Sequence, residues 1–254
     1  MLESKLIKEE KHVVDGIPLI RFVGRGLEAP YKTLVFYHGW SSSKESDRMR
    51  GMILASFGYQ VIIPDAIHHG ERGGLDYSEP ETMAGYFWPT VLNNMEEYST
   101  IKRKAIEDFG ASQESIAVIG NSMGGFTASG IFTYNPEIKA LVVLNGSANW
   151  TGANAVFEGM LPGELPDALE KKKEKLAKLD PINNIERLVD RPVLLLHGSK
   201  DQVVDKASGE EFYSKAYQEY RDKSRIKFVE YERVNHTVTT KMMEEALGWF
   251  SRFL

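Results

Sequence analysis

The chain has no cysteine among its 254 residues. Disulfides and thiolate metal sites are therefore excluded, which suits a protein of a reducing compartment. It also lacks any run of roughly eighteen apolar residues, the length a membrane span needs. The segment Met1–Lys11 alternates charged with apolar residues and has no apolar core of signal-peptide type. Basic residues form no concentrated stripe and the formal net charge is -5, which argues against phosphate-backbone binding. Internal repeats and low-complexity tracts are absent. These absences predict a soluble, cytoplasmic protein with neither nucleic acid nor membrane as partner.

What remains is an ordinary globular composition, 42% hydrophobic and 26% charged. The length suits one core, and a single domain over residues 1–254 is expected. His12-Val13-Val14, Asp15-Gly16 and Ile17–Phe22 read as a β-hairpin with an Asp-Gly turn. Apolar runs at 33–37, 59–64, 115–119, 138–144, 192–196 and 227–231 have the continuity of parallel strands buried on both faces. Helical spacing links them over about 44–57, 91–109, 122–134, 206–220 and the last residues to Leu254. In the first, Met49, Met52, Ile53 and Phe57 share a face, and one of Ser41–Ser43 is a candidate cap. The alternation predicts an α/β fold, a doubly wound, mostly parallel sheet of about eight strands led by an antiparallel hairpin. Residues 147–180 break the rhythm, with Gly, Asn and Pro followed by a charged helix, and read as a small lid-like insertion.

The stretch Ser115–Gly125 carries the chemistry. A strand ends at Gly120 and a helix begins almost at once, so Ser122 sits on the corner, with Gly120 and Gly124 permitting the tight turn. A G-x-S-x-G motif alone arises by chance in roughly one chain in eight of this composition, so the other strand ends must be weighed with it. Open α/β sheets gather their ligands beyond the carboxyl ends of the strands. His38-Gly39-Trp40, Asp65, Ser122, Asp201 and His236 all follow predicted strands directly, and Asp205 competes with Asp201 as a carboxylate. A serine nucleophile needs a base, and the base an orienting acid; Ser…Asp…His is one of the chain orders in which such triads occur.

On His38-Gly39-Trp40, Gly120–Gly125, His197-Gly198-Ser199-Lys200-Asp201 and Asn235-His236, the chain resembles the α/β-hydrolases along nearly its whole length. It is most similar to single-domain esterases related to dienelactone hydrolases and to the catalytic domain of prolyl-oligopeptidase-like serine peptidases. The resemblance implies Ser122 as nucleophile, His236 as base and Asp201, two residues beyond a Ser that follows His-Gly, as the acid. It implies an oxyanion hole from the backbone N–H groups of Trp40 and Met123, with no cofactor. His38 and His197 are read as residues that fix their loops by hydrogen bonding. The cluster His68-His69-Glu71 with Asp65 is read as shaping the site rather than binding metal. Trp40, Trp88, Trp150 and Phe157 are candidate substrate-binding residues, with Tyr86, Phe87 and Met160 in segments that could cover the pocket. The expected activity is hydrolysis of a small-molecule carboxylic ester through an acyl-enzyme. Cleavage of short peptides, thioesters or lactones is the alternative, without the large substrate-filtering domain of the peptidases, and a non-catalytic binding protein on the same fold is a more distant one.

Overall fold

A computed structural model describes residues 4–159 and 167–254, with side chains described outside 156–172. Eight strands form one sheet: β1 (Ile7–Val14), β2 (Ile17–Gly24), β3 (Tyr31–Tyr37), β4 (Gln60–Pro64), β5 (Ala111–Asn121), β6 (Leu141–Leu144), β7 (Val193–Gly198) and β8 (Ile226–Tyr231). Their spatial order is β1-β2-β4-β3-β5-β6-β7-β8. The β1–β2 hairpin and the β2–β4 pair are antiparallel and every later pair is parallel, as the sequence predicted.

The central strands are apolar on both faces because helices cover both. Leu19, Val35, Val118, Val143 and Leu195 pack toward α2 (Pro80–Glu107), α3 (Met123–Tyr134) and α6 (Lys206–Glu219). Their neighbours Ile20, Leu34, Ala117, Ile119, Val142 and Leu196 face α1 (Arg48–Ser56) and α7 (Thr240–Phe253). Each such Val, Leu or Ile side chain stabilises the fold by roughly 1.5–3 kcal/mol. A slip of one residue would exchange the two faces.

Two helices differ from expectation. The serines at 41–43 cap nothing: α1 starts at Arg48 with Asp47 before it, and the Asp47 side chain pairs with Arg50 instead. Of its expected stripe, Met49, Ile53 and Phe57 are turned to solvent and Met52 alone packs against the core, while Gly51, Leu54 and Ala55 are buried. The reason is closeness. A Cβ on Gly51 would stand 2.8 Å from Phe22 and Ile63, so the helix lies on the sheet through its smallest residue. Helix α2 begins at Pro80, eleven residues before the expected start near 91, and runs through Pro89. That proline forfeits one intrahelical hydrogen bond; burial of Phe87, Val91 and Tyr98 on the same helix offsets the loss.

Between β6 and β7 run α4 (Trp150–Gly159) and α5 (Asp167–Leu179). The buried Asp180 carboxylate closes the base of this segment, accepting from Trp150 N at 2.9 Å and from Thr151 N and Oγ1 at 2.7 Å. Among the described residues no helix is long and apolar enough to cross a membrane.

Candidate active site

The parallel register aligns Asn121, Leu144, Leu196 and Val229 in one row across β5 to β8, so the segments that follow them leave the same sheet edge. Ser122 is the first of these. Its backbone has φ 55° and ψ -120°, a conformation rare for any residue but glycine, and its amide donates to Leu144 O at 2.8 Å. The turn is over-determined by close packing. A Cβ on Gly120 would lie 1.9 Å from Gly124 O, and one on Gly124 would lie 1.9 Å from Tyr37 O. The elbow can therefore be held in its strained form only with glycine at both positions. Met123 opens α3, so its N–H is among those a helix leaves without an intrahelical acceptor.

Gly39 brings the loop after β3 against the elbow: a Cβ built on it would contact Ser122 Cβ at 3.4 Å. Trp40 follows, half-buried, its ring against His69, Tyr77 and Phe87. Its indole N–H is buried and finds no acceptor among the described residues. His38 pins this loop to the next. Ala66 N donates to its Nε2 at 3.0 Å, and its Nδ1 donates to Gly39 O at 2.8 Å. Burial lowers its pKa to about 4, so the ring stays neutral near pH 7. His69 is committed in the same way, accepting from Ser41 N at 3.3 Å through Nε2 and donating to Ile67 O at 2.9 Å through Nδ1.

Asp65 and Glu71 turn toward a cation rather than toward the histidines. The Lys44 side chain, 1% exposed, places Nζ 2.6 Å from Asp65 and 2.7 Å from Glu71. Burial works to lower the lysine pKa, but these two carboxylates outweigh it and raise it. Asp65 also accepts from Lys44 N and Glu71 N, both at 2.9 Å, so it stitches the loops after β3 and β4 together. Sequence reasoning missed Lys44; a lone lysine in a polar loop gives no sign that it will be buried.

The second cluster forms beyond β7 and β8. His236 Nδ1 lies 2.7 Å from Asp201 Oδ2, and the Asp201 side chain has no exposed surface. Asp201 Oδ1 accepts from Val203 N at 2.9 Å and Val204 N at 3.0 Å. Burial pushes its pKa up, yet the hydrogen bonds from His197, His236 and the two amides outweigh that and hold the carboxyl well below the usual range. Asp205, the rival carboxylate, is engaged elsewhere: it caps α6, accepting from Ala207 N at 2.9 Å. The turn and the His236 loop interlock. Asn235 Oδ1 accepts from both Gln202 N (3.0 Å) and His236 N (2.8 Å). Gly198 permits the approach, since a Cβ there would lie 2.5 Å from Val234 O.

The aromatic candidates separate. Trp40 and Trp88 are half-buried and join Phe87, Phe126, Met123 and Val204 in one apolar cluster beside the elbow. Trp150 belongs to that cluster but corrects the expectation of a substrate contact: it is 0% exposed, packed at a tilt against Trp88 and over Gly130, and donates to Ser129 Oγ at 3.1 Å. It backs the wall instead of forming it. Tyr86 is exposed and Phe87 buried. The Phe157 side chain and Met160 lie outside the described residues.

Comparison with known proteins bears on the family and the fold. YitV of Bacillus subtilis (strain 168), named a candidate esterase, is 32% identical over 98% of this chain and all of its own length. Esterase YjfP of Escherichia coli (strain K12) is 28% identical over 98% of this chain and all of its own. The crystal structure of TT1662 from Thermus thermophilus superposes with a TM-score of 0.77 at 23% identity, covering 97% of both chains, and shares the fold. The profile of the prolyl oligopeptidase family matches residues 47–254. With its α/β-hydrolase sheet, its glycine-flanked elbow and this match over most of its length, the chain belongs to the prolyl oligopeptidase family of hydrolases.

Proposed function

We propose that the protein hydrolyses small carboxylic esters through a Ser122–His236–Asp201 triad. The observation that carries this reading is the 2.7 Å hydrogen bond from His236 Nδ1 to Asp201, formed beyond the sheet edge where the Ser122 elbow also ends. With Nδ1–H committed to the carboxylate, the neutral ring accepts protons through Nε2. His236 takes the Ser122 proton as the hydroxyl oxygen attacks the ester carbonyl. Asp201, held ionised, stabilises the imidazolium that forms. The amides of Trp40 and Met123 receive the developing oxyanion; one such donor is worth roughly 3–4 kcal/mol in hydrolases of this kind. His236 then protonates the leaving alcohol and activates water to release the acyl group. Trp40 and Trp88 supply apolar wall for a modest acyl or alcohol group, and Phe157 is a further candidate for that role.

The names of YitV and YjfP, matched end to end, support an ester as substrate. The family profile favours a second reading, cleavage of short peptides. A panel of p-nitrophenyl esters of rising chain length, run beside aminoacyl anilides, separates the two. The ester reading predicts higher kcat/KM on the short esters; preference for the anilides would overturn it.

A further inference from the structure

The acid of this site makes one contact that the triad does not require. His197, the penultimate residue of β7 and 1% exposed, places Nε2 3.2 Å from Asp201 Oδ2 and 3.0 Å from Val204 O. A carbonyl oxygen can only accept, so this Nε2 carries hydrogen, bonded to the carbonyl with the carboxylate oxygen close beside it. Oδ2 is thus bordered on two sides by ring N–H groups, bonded to His236 and close to His197.

The two partners differ in rigidity. The His236 side chain is 20% exposed and follows the last strand on a loop, whereas His197 lies within a strand buried on both faces. The amides of Val203 and Val204 fix only Oδ1, which leaves the carboxylate free to swing about that oxygen. A donor fixed in the sheet removes that freedom. We propose that His197 is a positioning residue for the triad acid, holding Asp201 Oδ2 in line with His236 Nδ1 while closing the 198–204 turn through Val204 O. The proposal rests on the triad reading above.

His197→Leu removes the donor, and His197→Gln keeps an amide N–H at a reach similar to Nε2. Loss of the N–H group beside the charged carboxylate predicts a fall in kcat of roughly tenfold to a hundredfold for the Leu variant. KM should stay within about twofold, and the Gln variant should recover most of the rate. A purely structural histidine would lower the melting temperature of both variants and leave kcat per folded molecule unchanged; that result overturns the proposal. Because His197→Leu could fail to fold, the native protein supplies an independent reading. With 15N-labelled histidine, NMR should find His197 protonated at Nε2 and slow to exchange, and an unprotonated Nε2 would refute the assignment. Normal activity in Ser122→Ala and Asp201→Asn would instead remove the triad reading, and this proposal with it.

Discussion

Two groups of histidines and carboxylates stand beyond the same sheet edge, one after β3 and β4, the other after β7 and β8. In the first, His38 and His69 each bond through both ring nitrogens to backbone, and Asp65 with Glu71 neutralises a buried lysine. In the second, His236 gives Nδ1 to a buried carboxylate and keeps part of its surface open. Residue types hardly distinguish the two groups. What differs is which atoms are already committed: a ring with both nitrogens bonded to backbone holds a loop, and a ring oriented through one nitrogen can move a proton with the other.

The sharpest way to test that contrast is to damage the acid of each group. Asp201→Asn should leave the fold intact and lower kcat by up to roughly 10⁴, measured on a short p-nitrophenyl ester. Near-normal turnover would move the acid elsewhere. Asp65→Asn should do the reverse. Breaking a buried ion pair costs about 3 kcal/mol or more, so thermal unfolding should begin on the order of 10 °C lower. A kcat per folded molecule that falls as far as in Asp201→Asn would erase the distinction.

Acid separates the groups next. His38 has a folded pKa of about 4 against an ordinary value of 6.5, so the unfolded chain binds the proton more tightly. Its contribution is complete above about pH 6.5 and is lost as pH falls toward 4, on the order of 3 kcal/mol in all. Asp201, lowered instead, contributes above its unfolded value of 3.8 and loses that only as pH falls below it. Urea titrations should therefore show stability declining between pH 6.5 and 4 in the native protein, and a flatter profile in His38→Gln. An equal decline in the variant would assign the effect to other groups. The smallest effect is expected at Asp205→Ala. Loss of the α6 cap costs about 1 kcal/mol, with kcat unchanged; a large fall in kcat would return Asp205 to the list of acids.

Much of this was legible in the sequence because its causes are local. Strands buried on both faces must be apolar throughout, so a mostly parallel sheet led by a hairpin could be read, though not its strand order. The elbow announces itself because Gly120 and Gly124 face backbone atoms that no side chain could tolerate. Position after a strand left Asp205 competing with Asp201, and it was the resemblance to the α/β-hydrolases that singled out Asp201 and His236. Tertiary contacts decided the rest. Helix α2 passes through Pro89 because burial of Phe87 and Val91 outweighs a missing hydrogen bond. Helix α1 turns Met49 and Ile53 outward because Gly51 fits the sheet more closely. Trp150 reads as a pocket residue until Ser129 and Trp88 are seen to enclose it. Whether a histidine has a nitrogen to offer depends on carbonyls and amides from distant loops, and no motif records those.

The account turns on Ser122 being the activated hydroxyl. Labelling the native protein with a fluorophosphonate probe and mapping the adduct by mass spectrometry tests this directly. The account predicts modification on the peptide bearing Ser122, abolished in Ser122→Ala and slowed greatly in Asp201→Asn. An unmodified native protein, or a Ser122→Ala variant labelled as readily as the native one, would contradict it.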